Sequence, residues 1–408
     1  MLKPCIIGLG YVGLPILLNL SKKFRTIGYD TNKKRISDLN KFEDKFNEFK
    51  KKDLSNKKIF FTHDIYKAKN ANFYIVAVPT PILKNKKPDL THLKKVSQNL
   101  SKVIEKGDII FFESTVYPGV TNNLCKKIIE KKSKLIEGKD FFIGYSPERV
   151  NPGDKKHSLK KIDKILAYPH KFRLKNIIGL YKNIAKKIIF TKNIEEAETA
   201  KVIENIQRDV NIGLMNEIYM VCKKLNINFY NVFNLAATKW NFIKYKPGLV
   251  GGHCLPVDPY YLSHISKINK LKTNVILAGR NTNNAMVKNI YNEICKIVKK
   301  KVFKNKKILL CGLTYKENVA DLRNSMQLQI YERLKKLKKN IRGFDPILDK
   351  EIAKRYNLVL TDKNFKKFDI YIILTNHTLI KKQINKLSGN KIVFNIFNNE
   401  LVDNTKVC

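Results

Sequence analysis

Short apolar runs alternate with longer amphipathic stretches along the first 150 residues of the chain. The apolar runs have the length of strands and cover residues 5–8, 26–30, 73–78, 109–113 and 141–145. Helical stretches at residues 12–22 and 33–39 follow the first two runs. Buried strands that alternate with helices are typical of a parallel sheet covered by helices, so the pattern predicts an α/β domain.

A different pattern occupies residues 195–225, which form one long predicted helix. At about 100° per residue, one stripe of this helix is apolar and consists of Ile203, Ile206, Val210 and Leu214. Lys201, Asn205 and Arg208 lie on the opposite side. Strand–helix alternation resumes at residue 306, with strands predicted at 307–312, 340–344, 369–374 and 391–396 and a helix at 325–338. The predicted fold class is therefore α/β, with two Rossmann-like parallel-sheet domains joined by a long central helix.

The charge of the chain first suggests an anionic polymer as its partner. The 408 residues include 80 basic and 35 acidic ones, a formal net charge of +45. Only ten of the basic residues are arginine, on which base readout in nucleic acids depends most. The lysines are spread along the chain in pairs and triplets. We interpret them as a compositional bias on solvated faces and predict no nucleic-acid partner.

Three further features predict a reduced, cytoplasmic protein without a membrane partner. No apolar run reaches the roughly 18 residues that a membrane-spanning helix needs. The N-terminus runs into a glycine turn too early for a signal peptide. The 7 cysteines form no Cys-x-x-Cys pair, and their spacing fits neither a disulfide framework nor a zinc site, so we predict no metal.

Residues 8–13, Gly-Leu-Gly-Tyr-Val-Gly, have the Gly-x-Gly-x-x-Gly spacing and join a predicted strand to a predicted helix. In this context the glycines let the main chain approach a pyrophosphate at the helix N-terminus. Asp30 lies 20 residues beyond Gly10, at the end of the next strand, where an acid binds ribose hydroxyls. The acid favours NAD over NADP, whereas the nearby Arg35 would weaken that preference.

Residues 247–259 form a second loop rich in glycine and proline, with Cys254 four residues before Asp258. A thiol nucleophile needs activation, and a nearby carboxylate can provide it through water. A lone cysteine is also common as a small buried apolar residue. His253 is discounted as a partner of Cys254, because adjacent side chains commonly diverge.

With these two loops and several further motifs, the chain resembles the UDP-glucose/GDP-mannose dehydrogenase family over nearly its whole length. The further motifs are Val-Pro-Thr-Pro at 78–81, Glu-Ser-Thr-Val at 113–116, Ser-Pro-Glu-Arg-Val-Asn-Pro-Gly-Asp at 146–154, Lys-Val-Ile-Glu-Asn at 201–205 and Gly-Leu-Thr-Tyr-Lys-Glu-Asn at 312–318. Within the family, the residues at 146–154, 207–211 and 239–242 resemble the branch that acts on UDP-N-acetylhexosamines. The closest likeness in that branch is to enzymes that oxidise UDP-N-acetylglucosamine for surface polysaccharide synthesis.

The resemblance implies an NAD-binding domain at 1–190, a central helical dimerisation domain with the cysteine loop at 191–300, and a UDP-sugar-binding domain at 301–408. It implies a homodimer or a higher homo-oligomer. The reaction would oxidise the sugar C6 alcohol twice, consume two NAD⁺ and give a uronic acid. Other UDP-hexoses remain open as substrates, namely UDP-GalNAc, UDP-ManNAc and UDP-glucose.

The resemblance also implies a role for each catalytic candidate. Cys254 would carry a thiohemiacetal and then a thioester, and Lys201 and Asn205 would stabilise the oxyanion. Their i, i+4 spacing agrees, because it places both on one helix face. Asp258 would order the water for deprotonation. Glu148 would serve thioester hydrolysis, and Thr115 would position a water.

Binding residues are carried over in the same way. The cofactor-binding candidates are Gly8, Gly10, Tyr11, Val12, Gly13, Asp30, Arg35, Pro79, Thr80 and Thr115. The substrate-binding candidates are Arg149, Asn151, Lys201, Asn205, Gly251, Arg280, Lys316 and Arg323. Arg280 has a dimer contact as its alternative role.

Two segments depart from the family pattern. Residues 164–169 replace a small glycine-containing turn, and residues 395–397 replace a common Asp-x-Lys. Two non-enzymatic alternatives remain, a nucleic-acid-binding protein that uses the net charge and a catalytically inactive nucleotide-binding regulator. Salt-dependent binding to DNA or RNA without binding of NAD would favour the first.

Overall fold

A computed structural model describes residues 2–44, 49–149, 159–337, 340–359, 362–389 and 391–397. The chain divides into two units. The first comprises Met1–Glu204 with Tyr260–Lys272, and the second comprises Asn205–Pro259 with Thr273–Cys408. Both unit boundaries near residues 204 and 259 fall within helices.

The first unit is built on an 8-stranded sheet with the order β3-β2-β1-β4-β5-β6-β7-β8. Its strands are β1 Pro4–Ile7, β2 Thr26–Tyr29, β3 Ile59–Thr62, β4 Phe73–Val76, β5 Asp108–Phe112, β6 Phe141–Tyr145, β7 Lys164–Ala167 and β8 Ile188–Thr191. All neighbours are parallel except β6 and β7, which are antiparallel. The strand order reverses between β1 and β4, which is the switch point where such sheets bind ligands.

Helices cover this sheet, and apolar clusters lie on both of its faces. The helices before the long central one are α1 Gly13–Leu20, α2 Lys33–Asn40, α3 Lys51–Leu54, α4 Thr91–Leu100, α5 Lys127–Ser133 and α6 Leu174–Tyr181. Every residue of β1, β4, β5 and β6 is buried. Strands that are covered on both sides need continuous apolar sequence, which explains why the apolar runs identified them.

The central helices are α7 Ile194–Lys224, α8 Phe229–Ala236, α9 Asp258–Ile268 and α10 Asn274–Val298. In α7 the two predicted faces have unexpected environments. Ile203 and Leu214 are 49% and 52% exposed, whereas Lys201 and Asn205 are 8% and 3% exposed. The apolar stripe therefore faces outward at these positions, and part of the polar stripe is buried.

The second unit contains a 5-stranded parallel sheet with the order β11-β10-β9-β12-β13. Its strands are β9 Ile308–Cys311, β10 Ile341–Phe344, β11 Leu358–Val359, β12 Ile370–Ile373 and β13 Ile392–Asn395. Its remaining helices are α11 Met326–Leu337, α12 Lys350–Arg355, α13 Asp362–Phe365 and α14 Thr378–Ile384. The predicted α/β class with two parallel-sheet domains and a long central helix is confirmed.

The two atypical segments have definite places in the fold. Residues 164–167 form β7, which the apolar pattern missed because its first residue is a lysine. Ile396 and Phe397 follow β13, and their carbonyls accept hydrogen bonds from the hydroxyls of Tyr219 and Tyr230 respectively. The C-terminal end of the second sheet is thereby tied to α7 and α8. Within the described ranges, no helix combines the length and apolarity needed to cross a membrane.

Candidate active site

A glycine turn joins β1 to α1 at the carboxyl end of the first sheet. Gly8 has a φ of +91°, and a Cβ on it would lie 2.7 Å from the Ala77 carbonyl oxygen. A Cβ on Gly13 would lie 1.8 Å from the Gly8 oxygen, whereas a Cβ on Gly10 would meet no atom within 4 Å. Packing thus explains why residues 8 and 13 are glycine. The open space at Gly10 fits the approach of a dinucleotide pyrophosphate.

Asp30 follows β2 directly and is bound to the glycine turn. Its Oδ2 accepts a hydrogen bond from the Leu9 amide at 2.9 Å, and its Oδ1 accepts one from the Asn32 amide at 2.9 Å. Tyr11 and Val12 lie half-buried in the same turn. The carboxylate therefore lies where a ribose-binding acid is found in dinucleotide-binding sheets, and the residues fit NAD.

Arg35 supports the glycine turn from within the first unit. The side chain is 7% exposed, and its Nε donates a hydrogen bond to the Leu9 carbonyl at 3.0 Å. Its Nη1 lies 2.9 Å from Asp44 Oδ1. Because Asp44 balances its charge, Arg35 has a structural explanation that does not require a 2′-phosphate.

The loops after β4 and β5 are tied together beside the switch point. The Thr80 hydroxyl donates a hydrogen bond to the Thr115 carbonyl at 2.7 Å. The Tyr261 hydroxyl in turn donates to the Thr80 carbonyl at 2.7 Å. Pro79 lies in the same loop, so three predicted cofactor residues are held at the carboxyl end of adjacent strands.

Glu148 follows β6 and is 8% exposed. Its Oε1 accepts a hydrogen bond from the Arg149 amide at 2.7 Å, and its Oε2 lies 3.3 Å from Lys164 Nζ. The same ammonium lies 2.8 Å from Glu113 Oε2, and the Tyr181 hydroxyl donates to Glu113 Oε1 at 2.9 Å. Glu148 thus belongs to a buried network with a second carboxyl group and a shared cation.

Burial and charge act against each other in this network. Burial raises the pKa of Glu113 to about 7, although Lys164 opposes the shift. For Lys164, burial favours the neutral amine, but the carboxylates of Glu113 and Glu148 outweigh it and raise the pKa. Lys164 therefore stays protonated at neutral pH, where Glu113 is able to exchange a proton.

Arg149 is bound within the first unit by two contacts. Its Nε lies 2.8 Å from Glu204 Oε1, and its Nη1 donates a hydrogen bond to the Asp163 carbonyl at 3.3 Å. About a third of its side chain remains exposed. The next substrate candidate, Asn151, lies outside the described residues.

Helix α7 carries Lys201 and Asn205 one turn apart. Among the residues that the structure describes, Lys201 has no hydrogen-bond partner. Asn205 Nδ2 donates to Asp258 Oδ2 at 2.5 Å, and its Oδ1 accepts from Arg208 Nη2 at 3.0 Å. Asn205 therefore fixes the carboxylate of Asp258, itself 2% exposed.

The main chain around Cys254 turns directly into α9. The Cys254 carbonyl accepts hydrogen bonds from the amides of Val257 and Asp258, both at 2.9 Å. Cys254 is half-buried, and Asp258 is the first residue of the helix. The turn brings the thiol residue and the predicted water-ordering carboxylate into one short segment.

The glycines before Cys254 pack against the loop after β9. A Cβ on Gly251 would lie 2.7 Å from the Asn324 carbonyl oxygen. Gly252 has a φ of +89°, and its Cβ would lie 2.7 Å from the ring of Tyr315. The Gly252 amide donates to the Arg323 carbonyl at 3.2 Å, and Asn324 Nδ2 donates to the Gly252 carbonyl at 2.9 Å. The cysteine loop thus packs against the loop that follows β9, the central strand of the second sheet.

The loop after β9 presents Lys316 and Arg323. Arg323 forms a forked ion pair with Asp321, with Nη2 2.6 Å from Oδ2, and about half of its side chain is exposed. Lys316 is half-buried. The buried His377 holds the loop, because its Nδ1 accepts a hydrogen bond from the Asn318 amide at 2.8 Å. The loop offers two cations of the kind that bind phosphate oxygens.

Arg280 is fully buried on α10, and its Nη1 lies 2.6 Å from Asp209 Oδ1. Asn283 Nδ2 donates to the same oxygen at 2.8 Å. Burial raises the pKa of Asp209 to about 6, although Arg280 opposes the shift. Arg280 thus acts as an internal counterion in the second unit, and its contact with substrate stays a prediction.

Sequence reasoning did not single out Glu113 and Lys164 as functional. A lysine at the start of an apolar run was the available signal, because a buried lysine needs a carboxylate partner. Glu113 lies two residues before the candidate Thr115, in the Glu-Ser-Thr-Val motif. Within the described ranges, no group of three or more His, Cys, Asp or Glu side chains is arranged to hold a metal.

Three consecutive parts of the chain match the domains of one family. Residues 2–185 match the NAD binding domain of the UDP-glucose/GDP-mannose dehydrogenase family. Residues 195–285 match its central domain, and residues 309–399 match its UDP binding domain.

Individual relatives are similar over almost their full length. A protein named CapL from Staphylococcus aureus is 42% identical over 400 residues, with 96% of this chain and 94% of CapL covered. The UDP-N-acetyl-D-glucosamine 6-dehydrogenase of Salmonella typhi is 40% identical over 386 residues, with 93% and 91% covered. The solved structure of the UDP-D-ManNAc dehydrogenase from Pyrococcus horikoshii has a TM-score of 0.86 at 27% identity, with 99% and 98% covered.

Proposed function

Because this chain belongs to the UDP-glucose/GDP-mannose dehydrogenase family, it is an NAD-dependent oxidoreductase, and we propose that it oxidises UDP-N-acetylglucosamine at C6. The product is the corresponding uronic acid, destined for surface polysaccharide synthesis. The Salmonella typhi relative, whose name states this substrate, supports the choice at 40% identity. The solved UDP-D-ManNAc enzyme at 27% identity makes the mannosamine epimer the main alternative.

The arrangement of Cys254, Asp258 and Asn205 carries the proposal of a double oxidation. A thiol residue precedes a buried carboxylate by one turn, and an amide fixes that carboxylate. An enzyme that oxidises an alcohol to an acid in one site needs a nucleophile that retains the aldehyde as an oxidisable adduct. A cysteine meets this need because its thioester is readily hydrolysed.

The first oxidation needs a proton acceptor and a charge stabiliser. Gly10 and Asp30 at the glycine turn would hold NAD⁺, which when bound would supply the hydride acceptor. We assign Asp258 to hold the water that takes the hydroxyl proton, and Thr115 to position a water. The Lys201 ammonium and the Asn205 amide stabilise the negative charge that develops on the oxygen.

The second oxidation proceeds on Cys254. Its thiolate bonds to the aldehyde carbon and gives a thiohemiacetal, which loses a second hydride and becomes a thioester. A water oxygen then bonds to the acyl carbon, the carbon–sulfur bond breaks, and Glu148 accepts a water proton. Each turnover therefore reduces two NAD⁺.

Substrate binding is assigned mainly to cations. Lys316 and Arg323 suit the diphosphate of the UDP-sugar. Gly251 stays a proposed substrate contact. Arg149, Asn151 and Arg280 remain proposed substrate ligands.

We also propose that the enzyme is a homodimer. Several large apolar side chains of the central region are exposed, and they define the central apolar set: Leu214, Val221, Leu225, Leu235 and Trp240. Trp240 is 91% exposed. A large exposed apolar patch marks a protein interaction site. A second copy of the chain is the occupant that the family resemblance implies.

A reducing, cytoplasmic location is proposed from the cysteines. No disulfide joins the described cysteines, and Cys254 must stay reduced to act as a nucleophile. No nucleic acid or membrane is proposed as a partner.

The decisive experiment measures NADH formed per UDP-sugar consumed with the purified enzyme. We expect two NADH from UDP-N-acetylglucosamine, with slower turnover of UDP-GalNAc, UDP-ManNAc and UDP-glucose. One NADH with release of a free aldehyde would contradict the thioester route, and a faster rate with another sugar would reassign the substrate.

A Cys254→Ser variant tests the nucleophile. We expect loss of uronic acid formation with NAD affinity unchanged, because the serine alkoxide forms an ester that hydrolyses much more slowly. Wild-type turnover in this variant would contradict the covalent mechanism.

A further inference from the structure

The ammonium of Lys164 is enclosed by acceptors within the first unit. Its side chain is 3% exposed, and Nζ lies 2.8 Å from Glu113 Oε2, 3.3 Å from Glu148 Oε2 and 3.4 Å from the Pro147 carbonyl oxygen. An ammonium group has three N–H donors, and these three acceptors match them. Lys164 is therefore held firmly at the point where two buried carboxyl groups meet.

The reversed direction of β7 explains how a lysine reaches this point. Tyr145 of β6 pairs with Ala167 of β7 in antiparallel register. Continuing that register places Glu148 opposite Lys164, and the Ser146 hydroxyl donates to the Ile165 carbonyl at 2.7 Å. The first residue of β7 therefore lies at the carboxyl end of β5 and β6, where parallel sheets carry their functional residues.

Glu113 gives the lysine a rigid anchor. It directly follows β5, and both of its oxygens are bound, one by Lys164 and one by the Tyr181 hydroxyl. Glu148, by contrast, lies in the loop after β6. Lys164 thus links a loop carboxylate to the fixed end of a central strand.

The charges suit a proton acceptor. Burial disfavours a lone carboxylate, and a nearby cation favours it. Lys164 Nζ lies 3.3 Å from Glu148 Oε2, so its positive charge attracts and orients that group.

We propose that Lys164 is a positioning residue for hydrolysis of the acyl group on Cys254, with Glu113 as its anchor. The inference rests on the proposed function. In the step, the water oxygen bonds to the acyl carbon and the Cys254 thiolate leaves. One water proton passes to Glu148, and no electrons are exchanged with a redox partner. Lys164 acts by holding the Glu148 carboxylate in place.

A purely structural role would be to neutralise Glu113. Lys164→Met would then fail because it buries an unpaired carboxylate, and Glu113→Gln in the same chain would repair the defect. The double variant E113Q/K164M removes both charges together. It therefore separates neutralisation of Glu113 from positioning of Glu148, even if K164M alone does not fold.

The experiment mixes enzyme, NAD⁺ and UDP-N-acetylglucosamine, or the panel sugar that the wild type oxidises fastest, in a stopped-flow instrument. The mass of the intact protein in acid-quenched samples is measured by mass spectrometry. For E113Q/K164M we expect a burst of two NADH per site and a steady rate lowered by about ten- to a hundredfold. An acyl adduct on Cys254 should accumulate, as in Glu148→Gln. Lys161→Met, which removes an exposed lysine of the neighbouring segment, should behave like the wild type.

The other outcomes overturn the proposal. A folded E113Q/K164M with the wild-type steady rate would show that Lys164 only neutralises Glu113. Equal loss of the burst and the steady rate in that folded variant would show that hydrolysis is not the step affected. If the wild type forms no NADH from any UDP-sugar, the proposed function fails and this inference with it. An active wild type with unaltered variants refutes this inference alone.

Discussion

Single residues of the site differ in how far sequence predicts them. Cys254, Asp258 and Asn205 stand in motifs, and their spacing along a loop and a helix places them with little further information. Lys164 and Glu113 pair across 51 positions of the chain, so no local pattern connects them. Such pairs depend on strand order and direction, and only the fold reveals that β7 reverses.

Glu198 is another residue whose partners lie far away along the chain. Its environment makes the stability of the protein depend on pH. It is fully buried on α7, and its oxygens accept hydrogen bonds from the amides of Gly119 at 2.6 Å and Thr121 at 3.0 Å. It thereby fixes the loop that follows Thr115. Burial raises the pKa of Glu198 from 4.5 to about 7, although the hydrogen bonds oppose the shift.

We expect Glu198→Gln to gain stability relative to the wild type as pH rises. The folded wild type keeps its proton up to about pH 7, whereas the unfolded chain releases it near 4.5, so this contribution is complete below 4.5 and is lost through 7. The shift corresponds to at most about 3 kcal/mol. Melting temperatures of both proteins at pH 5, 6 and 7 test this. A variant that loses stability relative to the wild type over that range would show that Glu198 is stabilised as an anion.

Whole elements follow the apolar pattern where burial is complete. The central strands were predicted within a few residues, because two-sided burial demands uninterrupted apolar sequence. The bounds of α7 were also predicted closely, although its apolar stripe is partly exposed. The pattern missed β3, β7, β8 and the two-residue β11. Ile59, Ile188 and Phe190 are partly or largely exposed in β3 and β8, and β7 begins with Lys164, so these strands lack that signal.

Packing between α7 and α10 depends on two glycines, which gives a prediction about the helices. A Cβ on Gly213 would lie 2.8 Å from the Gly279 carbonyl oxygen, and a Cβ on Gly279 would lie 3.0 Å from the Val210 Cα. We expect Gly213→Ala to destabilise the protein by about 1–3 kcal/mol, because main chain must move to admit the methyl group.

Gly179 provides the matched control for that substitution. It lies within α6, and a Cβ on it would meet no atom within 4 Å. Gly179→Ala should stabilise the protein by about 0.4–1 kcal/mol, since it only restricts the unfolded chain. Thermal unfolding of the two variants compares them directly. Equal effects would show that α7 and α10 are not in close contact at Gly213.

At the scale of the whole molecule, the +45 charge says less about function than the few cations with defined partners. Lys164 and Arg280 are buried beside carboxylates, and Arg323 is paired with Asp321 on the cysteine-loop side of its unit. These three cations are paired with carboxylates within the fold, so the net charge does not by itself indicate a polyanionic partner. The exposed apolar residues are the stronger signal about assembly.

Trp240 is the only tryptophan of the chain, so its fluorescence reports the proposed dimer without a label. At 91% exposure it would emit as a solvated indole in a monomer, and a partner copy covering it would shift the emission to shorter wavelength. We expect the wild type to have the mass of a dimer by light scattering and blue-shifted emission. Leu214→Glu should give a monomer with red-shifted emission, because a charge in an apolar interface is costly to bury. Leu379→Glu makes the same change at a 47% exposed leucine outside the central apolar set and should leave both readings unchanged. A wild-type monomer would contradict the proposed dimer. A dimer whose Trp240 emission stays that of a solvated indole would place the interface elsewhere.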